Sequence, residues 1–260
     1  MAKVRIRNAL LFVCLMAIII SLNWGKTLRA QGSGCLPGDK IMDKYIKATG
    51  GMASYDKINN RITWSTLDIK DQNLKLAITT YAAKPNKILI VMDVPGVGRV
   101  ERGMSEGVVW ERTPKGVQIK TDKEAKEGLR DANFDKFAYW KTSFNDVQCI
   151  GVDTVDGHSC FITIMTPRVG DPLTVHIDRV SGLILKIDFA ISPKSGLTTA
   201  SILIGDYRDV DGILIPFMNR MRVMNEERVM TVDSLRQNVN IPDSLFALPT
   251  DVRVQMKVKK

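Results

Sequence analysis

From residue 60 onward, apolar side chains recur at every second position. Ile62, Trp64 and Thr66 alternate with Thr63, Ser65 and Leu67. Leu74, Leu76 and Ile78 alternate with Lys75, Ala77 and Thr79, and Ile88, Ile90 and Met92 continue the pattern. A period of two sends successive side chains to opposite faces, so these runs predict strands with one apolar and one mixed face. After Asp146 the runs Phe161 to Thr166, Leu173 to Ile177, Leu183 to Phe189, Thr199 to Asp206, Ile213 to Met224 and Arg228 to Leu235 read the same way. Asp156-Gly157 and Asp211-Gly212 carry the strongest short hairpin signal, and Asp178 to Leu183 reads as a longer hairpin containing Gly182. Parallel crossovers need a dozen or more residues, so these spacings predict an antiparallel meander.

The helical period appears in fewer places. Ile41, Met42, Tyr45 and Ile46 form one apolar face, with Asp39 as a cap and Gly50-Gly51 as a stop. A second turn spans Ser54 to Ile58. The longest candidate runs from Lys123 to Arg130 after Asp122 and continues over Asn133 to Phe144. Aromatics crowd that continuation. They read either as core residues on a covering helix or as a lid, with Phe137, Tyr139 and Trp140 at the mouth of a cavity. Phe246 sits in a closing turn before Pro249 and is expected to dock in the core.

The first thirty residues change the address of the chain. A basic start (Lys3, Arg5, Arg7), an apolar block from Ala9 to Leu22 and a polar exit ending at Ala30 form a secretory signal. The block falls short of the roughly 20 apolar residues a membrane span needs. Leu28 fits the cleavage rule poorly, so an uncleaved N-terminal tether is the rival reading. A third reading has Cys35 carrying a lipid. The whole chain is formally +9, with 37 Lys+Arg against 28 Asp+Glu. The five bases of the first thirty residues leave 32 against 28, or +4. That mild excess suits anionic lipid surfaces, and with no basic stripe interleaved with aromatics no nucleic-acid partner is expected. Of the four cysteines, Cys14 leaves with the signal. Cys149 and Cys160 are candidates for a disulfide in an oxidising compartment. The Asp156-Gly157 turn sets Cys160 opposite Asp153, however, and this favours two buried thiols.

Several segments in fixed order carry a resemblance. They are Tyr45-Ile46-Lys47-Ala48-Thr49-Gly50-Gly51, Val155-Asp156-Gly157 with Cys160-Phe161, Ser181-Gly182-Leu183-Ile184, Asp206 through Pro216, and Phe246-x-Leu248-Pro249. Together they resemble the outer-membrane lipoprotein-sorting-like proteins, the LolA/LolB-like superfamily in its broad sense. The resemblance implies a mainly β (α+β) fold: a strongly curved open antiparallel sheet, a half-barrel, with helices covering its concave side. The resemblance covers a LolA-like domain over about 39–250; before it lie the signal peptide (1–30) and a linker (31–38), and after it a basic tail (251–260). It also implies a hydrophobic cavity, for which Trp64, Leu76, Ile78, Ile90, Met92, Met165 and Ile177 are the candidate walls.

Catalytic chemistry is not visible. His158 follows a turn, and His176 lies on the strand face opposite Val175 and Ile177; both read as structural. They form no zinc spacing with the cysteines. Gly96-Val97-Gly98 is a fragment of a nucleotide loop in a β context, and Asp209-Val210-Asp211-Gly212 is a hairpin rather than a calcium loop. No catalytic, cofactor or metal residue is expected. The expected function is a non-enzymatic carrier of lipid or lipoprotein acyl chains in the periplasm or cell envelope, touching membranes transiently and meeting envelope proteins. The alternative is an envelope interaction or sensor domain whose cavity is filled by its own helices.

Overall fold

The computed structural model describes residues 34–168, 170–191, 198–223 and 226–258. The signal segment and most of the linker lie outside the described residues.

One antiparallel, unclosed sheet of thirteen strands dominates. Its strands are β1 (Asn60–Ile69), β2 (Leu74–Ala83), β3 (Lys87–Val94), β4 (Gly98–Ser105), β5 (Val108–Thr113), β6 (Gly116–Ile119), β7 (Phe144–Val155), β8 (His158–Pro167), β9 (Leu173–Asp178), β10 (Ile184–Ile191), β11 (Thr198–Val210), β12 (Ile213–Val223) and β13 (Glu226–Gln237). The spatial order is β6-β5-β4-β3-β2-β1-β13-β12-β11-β10-β9-β8-β7. All neighbours but β1 and β13 are also consecutive in sequence, as the meander reading requires. The Asp-Gly signals are turns: Asp156 and Gly157 have φ 47° and 83°, Asp211 and Gly212 φ 54° and 80°. Two consecutive left-handed residues give the turn whose twist matches a hairpin.

Opposed residues of antiparallel strands share a face, so the register sorts the side chains. One row runs Ile78–Met92–Val100 and another Leu67–Met230. The same face continues through Met221, Ile202, Ile187, Val175, Thr163 and Cys149. This is the concave face. Helix α1 (Gly38–Ala48) lies on it at the β7–β10 end, where Ile41 and Met42 pack with Met165, Val175 and Ile177, all wholly buried. Helix α1 starts one residue before Asp39, behind Pro37; Asp39 sits in the first turn, where its charge suits the helix dipole. Helix α2 (Met52–Lys57) places Tyr55 against Ile58, Phe134 and Ile213. Helix α3 (Asp122–Asp131) covers Met104 and Val109 through Leu129, with Ala132 just beyond it. It does not continue to Phe144. Asp135 takes a left-handed φ of 51°, the chain turns, and only Trp140–Ser143 (α4) is helical before Phe144 opens β7.

The C-terminal residues correct the expected basic tail. Thr250–Val258 is a helix, α5, whose Val252 is wholly buried. Together with the turn Asp243–Phe246 it packs on the convex face, over Tyr81, Leu89 and Trp110. Gly103 makes room there, since a Cβ on it would lie 2.3 Å from the Trp110 ring. Arg112 holds the helix with a 2.8 Å hydrogen bond to Asp251 while its Nη1 donates to Glu101 at 2.7 Å.

The cysteines pair differently from either expectation. Cys35 is bonded to Cys149 across 114 residues, so Cys149 is not a free thiol and the Cys35 sulfur is not available for a lipid. Cys160 is the buried thiol and lies opposite Asp153. Burial, with Asp178 nearby, pushes it up to about 11.

Candidate ligand-binding face

The concave face of β1–β4 carries a continuous apolar wall. Ile69, Leu76, Met92, Val94 and Val100 are buried in it, with Leu67, Leu74, Ile78, Ile90 and Val97 packed around them. Every member comes from a strand or from the turn between β3 and β4; no helix of the described residues contributes. The wall lies toward the end of the strands away from α2, whose cluster includes Ala82 at the far end of β2.

Four of the seven residues chosen from sequence, Leu76, Ile78, Ile90 and Met92, stand together in this wall. Met165 and Ile177 are on the same face but lie beneath α1, wholly buried in its cluster. Trp64 is on the other side of the sheet. It pairs with Thr79 while its neighbour Ser65 pairs with Ile78, so the indole is convex, with the Arg236 guanidinium 6.0 Å from its ring centroid. The face that sequence reading assigned to Ile62 and Trp64 belongs instead to Leu67 and Ile69. Those two residues, with Leu74, Val94, Val97 and Val100, are the wall members that reading missed. The missing signal was the phase across the 70–73 turn, where Leu67 pairs with Leu76 and Ile69 with Leu74.

The aromatic run forms a plug at the opposite end. Phe137 stacks on Phe144 at 6.1 Å and meets Tyr45 edge-on. Trp140 packs against the α1 cluster. Tyr139 meets Tyr55 edge-on and donates to Asp56 Oδ1 at 2.7 Å, while Lys84 Nζ reaches its hydroxyl at 3.2 Å. Burial and the Asp56 carboxylate hold the Tyr139 phenol well above its ordinary range. Arg61 of β1 pins the run to the sheet: Nη1 donates to Asp135 at 2.9 Å and Nη2 to Gln237 Oε1 at 3.0 Å, with the guanidinium 5.0 Å from the Phe134 ring centre. A cavity of about 260 Å³ lies between this run and β12, bordered by Tyr45, Tyr55, Arg61, Asp135 and Ile215.

Each histidine lies beside an aspartate. His176 Nε2 lies 2.9 Å from Asp188 Oδ2, and Ser201 donates to the other oxygen of the same carboxylate. Ser201 is thus hydrogen-bonded to the carboxylate and not to the imidazole. His158, exposed, lies 2.9 Å from Asp178. Among the described residues no group of three or more His, Cys, Asp or Glu is arranged to hold a metal, and no helix is long and apolar enough to cross a membrane.

No protein-family model matches the sequence, and no curated protein matches it either. Solved structures do match in shape. A DUF1329 family protein from Desulfovibrio piger superposes with a TM-score of 0.58 at 18% identity, covering 81% of this chain and 97% of its own. A LolA superfamily protein from Nitrosomonas europaea gives 0.56 at 12% identity, with coverages of 82% and 99%. A putative outer membrane lipoprotein-sorting protein domain from Vibrio parahaemolyticus gives 0.56 at 13%, with 80% and 95%. Identities this low speak to architecture alone, and on that level the chain has the LolA-like fold: an open, curved antiparallel sheet with helices on its concave side.

Proposed function

We propose that the protein is a non-enzymatic binder or carrier of lipid, or of lipoprotein acyl chains, in the bacterial cell envelope. The observation that carries this reading is the apolar wall of Leu67, Ile69, Leu76, Ile78, Ile90 and Met92, to which strands and no helix contribute among the described residues of the concave face. Hydrocarbon laid along such a wall leaves water at about 0.8 kcal/mol per CH₂, so a chain of about 16 carbons gains on the order of 12 kcal/mol. A membrane offers the same chain a similar gain, so exchange between carrier and bilayer is near balance and direction comes from partners. The structural neighbours named for lipoprotein sorting support the reading through shared architecture. An exported chain fits this role whether its first thirty residues are cleaved or remain as a tether, with transient membrane contact and no nucleic-acid partner.

The test is extraction. Protein purified without detergent and treated with organic solvent is expected to yield lipid near one equivalent, and the emptied protein to bind a fluorescent fatty acid. No extractable lipid together with no probe binding would refute the reading. A second reading has its own support: α1 already fills the β7–β10 half of the concavity. If the remainder is likewise self-filled, the domain is an interaction or sensor module, and crosslinking in cells should return one dominant protein partner and no lipid.

A further inference from the structure

We infer that Arg228 receives the anionic head group of the bound amphiphile, so that the ligand is an anionic lipid with its tail on the apolar wall. This rests on the ligand-binding reading above and narrows it to a substrate class.

Arg228 sits in β13 opposite Ile69 of β1 on one side and Met221 of β12 on the other. Opposed residues share a face, so its stem rises from the concave wall, and its side chain is only 8% exposed. Nη2 donates to Glu226 at 2.7 Å, two residues along the same strand face, and Glu226 is 38% exposed. The pair therefore stands near the start of β13, at the end of the wall remote from the aromatic plug. Among the described residues of β1–β4, β12 and β13, the register puts two other charged side chains on this face. They are Arg61, at the plugged end and bound to Asp135, and Arg102 of β4, opposite Ile90 of β3 and Glu111 of β5.

A guanidinium taken out of water costs several kcal/mol unless it is paired and hydrogen-bonded. A surface that only received hydrocarbon would be served by an apolar residue at this register, such as Ile69, Met221 or Met230 around it. The planar fork of arginine matches a carboxylate or a phosphate with two parallel hydrogen bonds. Its place at the end of the wall fits a molecule with a tail along Leu67, Ile69, Leu76 and Met92 and a head beside the half-exposed Glu226. Glu226 is one of the groups that hold the guanidinium, and an incoming head group competes with it for the Nη2 donor.

The experiment compares a dansyl-labelled fatty acid with its methyl ester on the delipidated full domain. Wild type is expected to bind the acid about tenfold more tightly than the ester, the equivalent of about 1.4 kcal/mol. Arg228→Met should weaken the acid by about that factor and leave the ester within about twofold, while Arg228→Lys retains part of the preference. Glu226→Gln should strengthen acid binding, because it removes the competing negative charge and leaves a weaker, neutral acceptor. A merely structural ion pair would make the Arg228→Met and Glu226→Gln variants fail alike and toward both probes, and that result overturns the inference. Equal binding of acid and ester by wild type overturns it as well, and needs no variant to fold. If the ester binds and the preference is absent, only this inference falls; if neither probe binds, the ligand reading falls with it. Displacement by unlabelled hexadecanoate or by hexadecyl phosphate separates a carboxylate from a phosphate head. Displacement by inorganic phosphate alone would assign Arg228 to a free anion and overturn the amphiphile.

Discussion

Placing a carboxylate at Ile78 asks the sheet to distinguish its two faces. Ile78 is half-buried, set between Ser65 of β1 and Met92 of β3, with Leu76 and Ile90 close on the same face. An acyl chain crossing an aspartate there loses dry contact for about four methylenes, about 3 kcal/mol, so affinity should fall by more than about 100-fold. Thr79 is the control. It is the next residue on the strand and points to the convex face, opposite Trp64 and Val91. Thr79→Asp introduces the same charge about 3.4 Å further along the backbone, on the far side of the sheet. Fatty-acid titration of both variants, each checked by circular dichroism for cooperative melting, gives the comparison. Ile78→Asp should lose binding and Thr79→Asp should keep it within about threefold, or well under 1 kcal/mol. Retained binding in Ile78→Asp, or equal losses in the two, would refute the concave wall as the ligand surface.

Gly103→Ala should destabilise the fold by about 1–3 kcal/mol, because its Cβ would press the Trp110 ring that α5 rests on; urea unfolding reads the loss, and limited proteolysis should cut first within 250–258. Cys35→Ser should cost about 2–5 kcal/mol, and an unchanged unfolding midpoint on adding reductant to wild type would contradict this. The Cys160 thiol should resist a thiol reagent in the native protein and react fully in denaturant, since it is buried with a raised pKa. Burial pushes the Asp188 carboxyl up, but hydrogen bonds from Ser201, Lys186 and His176 outweigh it and hold it below its ordinary value of 3.8. A lowered native pKa stabilises the fold above the ordinary carboxylate range, and that contribution fades as pH falls through the native value. Stability measured from pH 5 down to 2 should therefore drop less steeply in Asp188→Asn than in wild type.

Much of the architecture was legible because hairpins are local. The two Asp-Gly turns set their strands in antiparallel register, and the spacing between strands left no room for crossovers. Phase across a turn was not legible. Ile62-Trp64 is as plausible a buried row as Leu67-Ile69, and the choice is made by backbone geometry around Asn73, whose φ is 47°. Helix α5 was hidden because Asp251, Arg253 and Lys257 make the segment read as solvated; Val252 and Met256, four residues apart, are the stripe that docks. The bond from Cys35 to Cys149 joins positions that no local pattern relates. The role of the aromatic run was open in sequence, since a lid and a packed plug use the same residues. Its anchor, Arg61 with Asp135, spans 74 residues and leaves no periodic trace.

The thirteen strands leave two with a single neighbour, β6 and β7. Strand β7 is twelve residues long, and an outermost strand of that length is a template on which other molecules can stack. The chain ahead of α1 is drawn close against it. Cys35 is tied to Cys149, and Gly38 approaches so closely that a Cβ would sit 1.7 Å from the Val147 carbonyl oxygen. Two irregularities, at Phe144/Asp146 and Cys149/Gly151, break the straight row of donors and acceptors. The disulfide thus holds a strap across the outermost strand, beside the row of backbone groups on which another strand could otherwise pair.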